Sequence, residues 1–306
     1  MGETTAMRDA DARRALRDDL ERLQCRVHQP DDPPLFTREP RSTMEPVHWR
    51  WRELLPMLDR LGALIEIGSG GQRRTLRLAN PGLPFGTTPT FWGSIQVILP
   101  GEVAEAHRHT ANALRFIMKG HGATTTVDGA RFAMNEGDLV LTPGGTWHDH
   151  EHRGERPMIW LDVLDISLMH ALHASFFDPY EAQVQPVRAE PRQSALVYRY
   201  GQAIEYPSMS TLAMKLHRLN PGSRTERRRQ TGSKLLYFFR GAGTTRIEDR
   251  SHAWTAGDFI ALPPWTWHEH AAAEVAVVFE VNDTPAMKAL GYYREEARGE
   301  TRGETS

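Results

Sequence analysis

The chain has 306 residues and a formal net charge of −2, with 37 lysines and arginines against 39 aspartates and glutamates. That balance excludes a general attraction to nucleic acid or to an anionic membrane, and the length allows one large core or two ordinary ones. Cys25 is the single cysteine, so no intrachain disulfide can form, and a reducing, cytoplasmic location is the default.

In chain order, residues 7 to about 24 predict a helix, with Ala10, Ala15, Leu16, Leu20 and Leu23 spaced for one face. The proline-rich HQPDDPPLFTREP that follows reads as extended or irregular. WRWRELLPMLDRLGALI predicts a second helix, interrupted or begun near Pro56. The N-terminus lacks the layout of a signal peptide, and no run approaches the length of a membrane span. Beyond residue 72 the texture changes to short alternating runs divided by Gly, Pro and Asp, which predicts strands and turns.

An internal repeat organises this second part. GEVAEAHRHTANALRFIMKGHGATTTVDGARFAMNEGDLVLTPGGTWHDH, from residue 101, aligns with GSRTERRRQTGSKLLYFFRGAGTTRIEDRSHAWTAGDFIALPPWTWHEH, from residue 222. Gly120-His121-Gly122 matches Gly241-Ala242-Gly243, Gly137-Asp138 matches Gly257-Asp258, and TWHDH matches TWHEH. Each copy reads as strand, turn, strand, turn, strand, so two small barrels or sandwiches are expected. A proline-broken linker from Ile166 should join them, and the polar EEARGETRGETS should be disordered.

Residues two apart on a strand point the same way, so His107 and His109 present their imidazoles to one side. With His148 from a later strand they can define one face of a metal and leave open positions. The alternative for a lone His-x-His pair is a surface or hydrogen-bonded pair. His148, however, closes the phrase Gly137-x5-Pro143-x-Gly145-x2-His148, and His107 and His109 close Gly101-x5-His107-x-His109. Both phrases are similar to the two motifs of the cupin superfamily. The second copy has Arg228 and Gln230 where the first has His107 and His109, and a permanent guanidinium beside one histidine is a poor site for a dication. The second barrel is therefore expected to be metal-free and structural.

Most cupins carry a glutamate four or five residues after the second histidine, where this chain has Ala113 or Leu114. Three neutral ligands leave a divalent ion its full charge, which an acidic ligand can neutralise. Arg115 can grip a carboxylate through its planar fork; the alternative is a salt bridge with an acid such as Asp162.

AHRHTANALRF, TWHDH, WLDVLD and ALGYYREE resemble the gentisate 1,2-dioxygenase group of bicupins, which includes salicylate, substituted-salicylate and 1-hydroxy-2-naphthoate dioxygenases. The likeness runs from about residue 74 through 295. It implies an all-β dominated bicupin, two double-stranded β-helix or jelly-roll barrels with N-terminal helices. The divisions it suggests are an N-terminal region 1–72, cupin 1 over 73–168, a linker 169–200, cupin 2 over 201–295 and a tail 296–306. It further implies Fe(II) on His107, His109 and His148, O2 as co-substrate, and a small aromatic hydroxy-acid opened between its carboxylated and hydroxylated carbons. By the same resemblance Arg115 contacts the substrate carboxylate, Trp92 and Gln96 line the ring pocket, and His150 lies by the reacting oxygens. Asp162 would orient one of these groups, and Arg74 would meet the substrate edge, with Arg73 as its alternative. For Trp92 the plainer reading is a core aromatic. Gly144-Gly145 departs from the serine- or asparagine-tryptophan pair of many members and would open the pocket or permit an unusual backbone path. A cytoplasmic homotetramer with no nucleic-acid or membrane partner completes the expectation. The rival readings are a non-catalytic cupin that binds a small aromatic acid, and a Zn or Mn cupin isomerase.

Overall fold

A computed structural model describes residues 2–28, 32–67, 73–191, 194–201 and 206–298. Contacts divide it into Met1–Glu39 and Pro40–Ser306. The first unit is carried by helix α1 (Gly2–Arg22), which starts before the periodic apolar residues that predicted it. The second opens with strand β1 (Val47–Trp49), helix α2 (Trp51–Leu64) and strand β2 (Thr75–Arg77). Pro56 lies inside α2 and neither begins nor ends it. No described helix is long and apolar enough to cross a membrane.

The first barrel follows as β3 (Trp92–Ile98), β4 (Val103–His109), β5 (Ala113–Lys119), β6 (His121–Val127), β7 (Ala130–Asn135), β8 (Leu139–Thr142), β9 (His148–His152) and β10 (Met158–Leu164). Helix α3 (Ile166–Ala171) and strands β11 (Phe177–Pro179) and β12 (Val197–Tyr198) come next. The second barrel runs β13 (Ala213–Leu219), β14 (Arg227–Gln230), β15 (Lys234–Arg240), β16 (Ala242–Ile247), β17 (Arg250–Thr255), β18 (Phe259–Leu262), β19 (His268–Ala272) and β20 (Ala276–Asn282). Helix α4 (Thr284–Ala289) and strand β21 (Glu295–Arg298) end the described chain.

Each barrel is two facing antiparallel sheets. The first has β12-β8-β5-β10-β3-β2 opposite β11-β4-β9-β6-β7; the second has β1-β18-β15-β20-β13 opposite β17-β16-β19-β14-β21. Strand alternation then assigns every side chain to one of two layers. In β5 the residues Leu114, Phe116 and Met118 point out of the barrel and pack with Leu235, Tyr237, Phe239 and Phe279 of the second barrel. Phe116 stacks on Phe279 at 4.3 Å between ring centroids. The opposite face sends Ile117 inward with Ile98, Val140, Met158 and Trp160. The two barrels thus share one apolar seam, and each retains its own filled floor.

Two expectations need correction. Residues 169–200 are more than a linker: β11 adds an edge to β4 and β12 an edge to β8, one strand to each sheet of the first barrel. The tail is ordered through Arg298, where β21 pairs with β14; residues 299–306 lie outside the described residues. The N-terminal region also contributes a strand, since β1 pairs with β18 of the second barrel.

The Gly-Asp landmark of each copy is structural. Asp138 caps Asn135 N–H at 3.0 Å and receives Tyr200 N–H at 3.3 Å. Asp258 likewise receives Thr255 N–H at 3.1 Å, Trp51 N–H at 2.8 Å and the ring of His48 at 3.0 Å. Both aspartates fasten a turn to a segment that arrives from elsewhere in the chain. Burial alone would push the Asp258 carboxyl up, but the bonds from His48, Trp51 and Thr255 outweigh it and hold it below the usual range. A folded-state value below the unfolded one stabilises the fold above the unfolded carboxylate range, and that contribution is lost as pH falls through the folded value. Asp258→Asn is therefore expected to lose about 1.5–3 kcal/mol at neutral pH, as for hydrogen bonds to a charged group. In chemical denaturation the gap from wild type should close in acid; a gap constant down to pH 3 would remove the carboxylate from this role.

Candidate metal centre and substrate pocket

The polar mouth of the first barrel forms above its apolar floor because the inward register changes chemistry along each strand. On β10 the inward residues run Met158, Trp160, Asp162; on β5 they run Ile117, Arg115; on β3, Ile98, Gln96. Facing them, β4 and β9 supply His107, His109, His148 and His150, with His107 directly opposite His148.

Among the described residues, His107, His109 and His148 form a group whose ligand atoms all lie within 4.8 Å of one another. Ring centroids are 4.3 Å apart for His107–His148, 4.9 Å for His109–His148 and 5.4 Å for His107–His109. Each ring turns Nδ1 to a backbone carbonyl two residues away: Glu105 at 2.8 Å, Ala111 at 2.9 Å and Thr146 at 3.1 Å. A carbonyl accepts only, so Nδ1 carries the proton in all three and Nε2 keeps its lone pair. Arg73 Nη2 sits 3.0 Å from both His107 Nδ1 and the Glu105 carbonyl. The guanidinium cannot accept, so its hydrogen bond goes to the carbonyl. His148 Nε2 is buried without a partner.

Burial, then the charge of Arg73, pushes His107 down to about 3; burial, then Arg115, pushes His109 down to about 4. Burial and Arg115 hold His148 well below the imidazole range. All three are neutral near pH 7, which is the form that donates to a cation. The donor set therefore fits a borderline divalent metal that keeps open positions.

Arg115 and Asp162 are cross-strand neighbours. Arg115 Nε lies 3.1 Å from Asp162 Oδ1, and Nη1 donates to Thr142 Oγ1 at 2.6 Å. Asp162 Oδ2 accepts from Trp160 Nε1 at 2.9 Å. The salt-bridge alternative for Arg115 thus holds, and the same contact fixes the guanidinium inside the barrel. Burial raises the Asp162 carboxyl against the pull of Arg115, and burial lowers the Arg115 guanidinium.

Buried polar atoms in folded proteins almost always have partners. Here Gln96 Nε2, Trp92 Nε1, His148 Nε2 and both ring nitrogens of His150 have none. His150 is 1% exposed and packs on Trp160 at 5.6 Å. Other buried atoms without partners lie elsewhere, Tyr206 Oη and Trp265 Nε1 among them, but several such groups around one set of imidazoles are what a site awaiting a polar ligand presents. Trp92 sits at the rim, with Phe85 at 4.4 Å and the Arg77 guanidinium 4.3 Å from its ring. It belongs to a half-buried aromatic cluster at the rim and to none of the barrel cores, with its indole N–H left unanswered.

Arg74 does not join this group. It makes a bidentate pair with Glu102 at 2.8 and 2.7 Å, and Nε donates to the Ile65 carbonyl. Its planar fork is occupied by a carboxylate, and Arg73 is the arginine that reaches the histidines. The sequence reading also missed Thr142, Trp160 and Phe177, whose ring stacks on His107 at 5.2 Å. Period-two counting back from Asp162 would have found Trp160.

Gly144-Gly145 shapes the backbone here. A Cβ on Gly144 would lie 2.2 Å from the Thr110 carbonyl oxygen, and Gly145 has φ +82. Its N–H donates to the His109 carbonyl at 2.8 Å. In the second copy Trp265 takes the same left-handed turn at φ 59, so the unusual path is common to both barrels.

Comparison with known proteins places this geometry in context. The Cupin domain family matches residues 94–164 and 215–282. A 5-aminosalicylate 1,2-dioxygenase from Comamonas sp is 32% identical over 312 residues, covering 85% of this chain and 83% of that protein. A 1-hydroxy-2-naphthoate 1,2-dioxygenase from Nocardioides sp. (strain KP7) is 34% identical, covering 84% and 80%. The salicylate 1,2-dioxygenase from Pseudoaminobacter salicylatoxidans, solved as adducts with gentisate, superposes with a TM-score of 0.85 at 29% identity, covering 94% of each chain.

Proposed function

We propose, for this chain, which belongs to the bicupin family of gentisate- and salicylate-type 1,2-dioxygenases, that it opens a salicylate-like aromatic acid at an Fe(II) held by His107, His109 and His148. The bond broken lies between the carboxyl-bearing and the ortho-hydroxyl-bearing ring carbons, and both atoms of O2 enter the product, so no external reductant is used. The observation that carries this reading is the convergence of three neutral imidazoles on the same interior as Arg115 and the orphaned donors. When bound, the iron supplies electron exchange with O2 and open positions for an oxygen chelate.

The rest is done by the chain. Three neutral ligands leave the ion's charge for an anionic hydroxy-acid to offset. Arg115, clamped by Asp162 and Thr142, offers a fixed guanidinium to the substrate carboxylate at little ordering cost. Gln96 and His150 each bring an unpartnered nitrogen that can hydrogen-bond a substrate oxygen, and Trp92 walls the ring. Met158, Trp160 and Ile117 keep water from the floor, which strengthens each of these interactions. The resemblance also proposes a homotetramer, which light scattering tests.

Anaerobically iron-loaded protein is expected to consume one O2 per molecule of substrate, with loss of aromatic absorbance. The panel is gentisate, salicylate, 5-substituted salicylates and 1-hydroxy-2-naphthoate. Absence of oxygen uptake with every member would defeat the proposal, and activity with Zn or Mn alone would defeat the iron.

A further inference from the structure

The second barrel keeps the architecture of the first but furnishes its mouth with other chemistry. Arg228 stands opposite His268 as His107 stands opposite His148. Glu280 takes the place of Asp162, yet its neighbour on β15 is Leu236, and the cation has moved two residues along the strand to Lys234. These side chains line a cavity of about 650 Å³, within the roughly 300–1,000 Å³ of small-molecule sites.

Lys234 is 6% exposed. Its Nζ lies 3.3 Å from Glu280 Oε1 and 3.5 Å from Oε2. The carboxylate is further met by Asn282 Nδ2 at 2.8 Å and by His217 Nε2 at 3.1 Å. The acid is therefore fully answered, whereas the ammonium has three donors and meets one carboxylate. His268 turns Nδ1 to the Thr266 carbonyl at 3.0 Å, and His270 Nδ1 faces Thr245 Oγ1 at 2.9 Å, so both rings are anchored on one side only. Arg228 is held by Glu226 at 2.7 Å and Glu295 at 3.0 Å, and does not fill the cavity. Lys288 lines it as well. The lining sets Lys215, Arg228, Lys234 and Lys288 against Glu226, Glu280 and Glu295, a balance tipped towards the cations, which favours an anion over a metal ion.

We propose that the second barrel is a binding site for a small organic acid, whose carboxylate takes the spare donors of the buried Lys234 beside Glu280. This site is independent of iron and of ring cleavage. An aliphatic dicarboxylate and an aromatic acid share the required group, and the test separates them.

Calorimetric titration of the anaerobic iron-loaded protein with succinate is expected to show one equivalent per chain, unchanged by the paired replacement Arg115→Met with Asp162→Leu, which leaves no unanswered buried charge. Titration with salicylate should show two equivalents, of which that paired replacement weakens one. The pairwise replacement Lys234→Met with Glu280→Gln removes charge from both partners together, and should weaken the second-barrel equivalent at least tenfold. Lys288→Glu, at the rim, should weaken it several-fold in a fold left intact. If neither acid binds beyond the first barrel, or if both variants bind as wild type does, the proposal is overturned. Oxygen uptake in the same samples reports separately on the ring-cleavage reading. Succinate alone bound in the second barrel would identify an aliphatic acid site, and salicylate alone an aromatic one.

Discussion

Replacing His109 with alanine is expected to remove ring cleavage and bound iron together. The ring supplies one of three neutral donors, and Ala113 and Leu114 beyond it offer no substitute. Loss of an outer-shell partner of a metal typically costs about 10–100-fold in affinity or activity; loss of a ligand should exceed that. The fold should survive, because His109 makes its side-chain bond to the Ala111 carbonyl at the barrel mouth, outside the apolar floor. Iron content by elemental analysis and oxygen uptake should therefore fall while the melting temperature holds. Full activity in this variant would overturn the assignment of the metal to the first barrel.

The second large effect concerns Arg115 and Asp162, and it separates a structural role from a substrate role. Removing one partner of a buried ion pair leaves an unanswered charge and costs about 3–5 kcal/mol. Asp162→Ala is expected to lose that much in chemical denaturation. The double variant Arg115→Met with Asp162→Leu should recover most of it, since an apolar pair of similar volume is often neutral. Activity should not recover with stability. A charge-assisted bond to the substrate carboxylate contributes about 1.5–3 kcal/mol, so KM should rise roughly 10–100-fold. A double variant with wild-type stability and wild-type KM would leave Arg115 as a salt bridge alone.

The legible parts of the site were those on long regular strands. His107, His109, Arg115, His148, His150 and Asp162 lie on β4, β5, β9 and β10, where alternation assigns a face from spacing alone. Arg73 and Arg74 precede β2 and lie outside any strand, so no period applies, and spacing alone does not tell the arginine beside His107 from the one paired with Glu102. The barrels were legible from the repeat, but their edges were not. β11 and β12 have three and two residues, too short to show a period, and β11 ends on a proline, which a sheet accepts only at an edge. β1 could not be foreseen either, because its partner is remote in sequence.

That remoteness bears on how the chain matures. His48, in the middle of β1, grips Asp258 across 210 residues. At roughly 5–20 residues per second, the segment leaves the ribosome about 10–40 s before its partner does. For that interval Val47–Trp49, an edge with unpaired backbone groups, stands beside a finished first barrel whose outward seam of Leu114, Phe116 and Met118 is still bare. A nascent chain in this condition is a natural client for a holdase, and truncation before residue 259 should leave an aggregating product even though His107, His109 and His148 have all been translated.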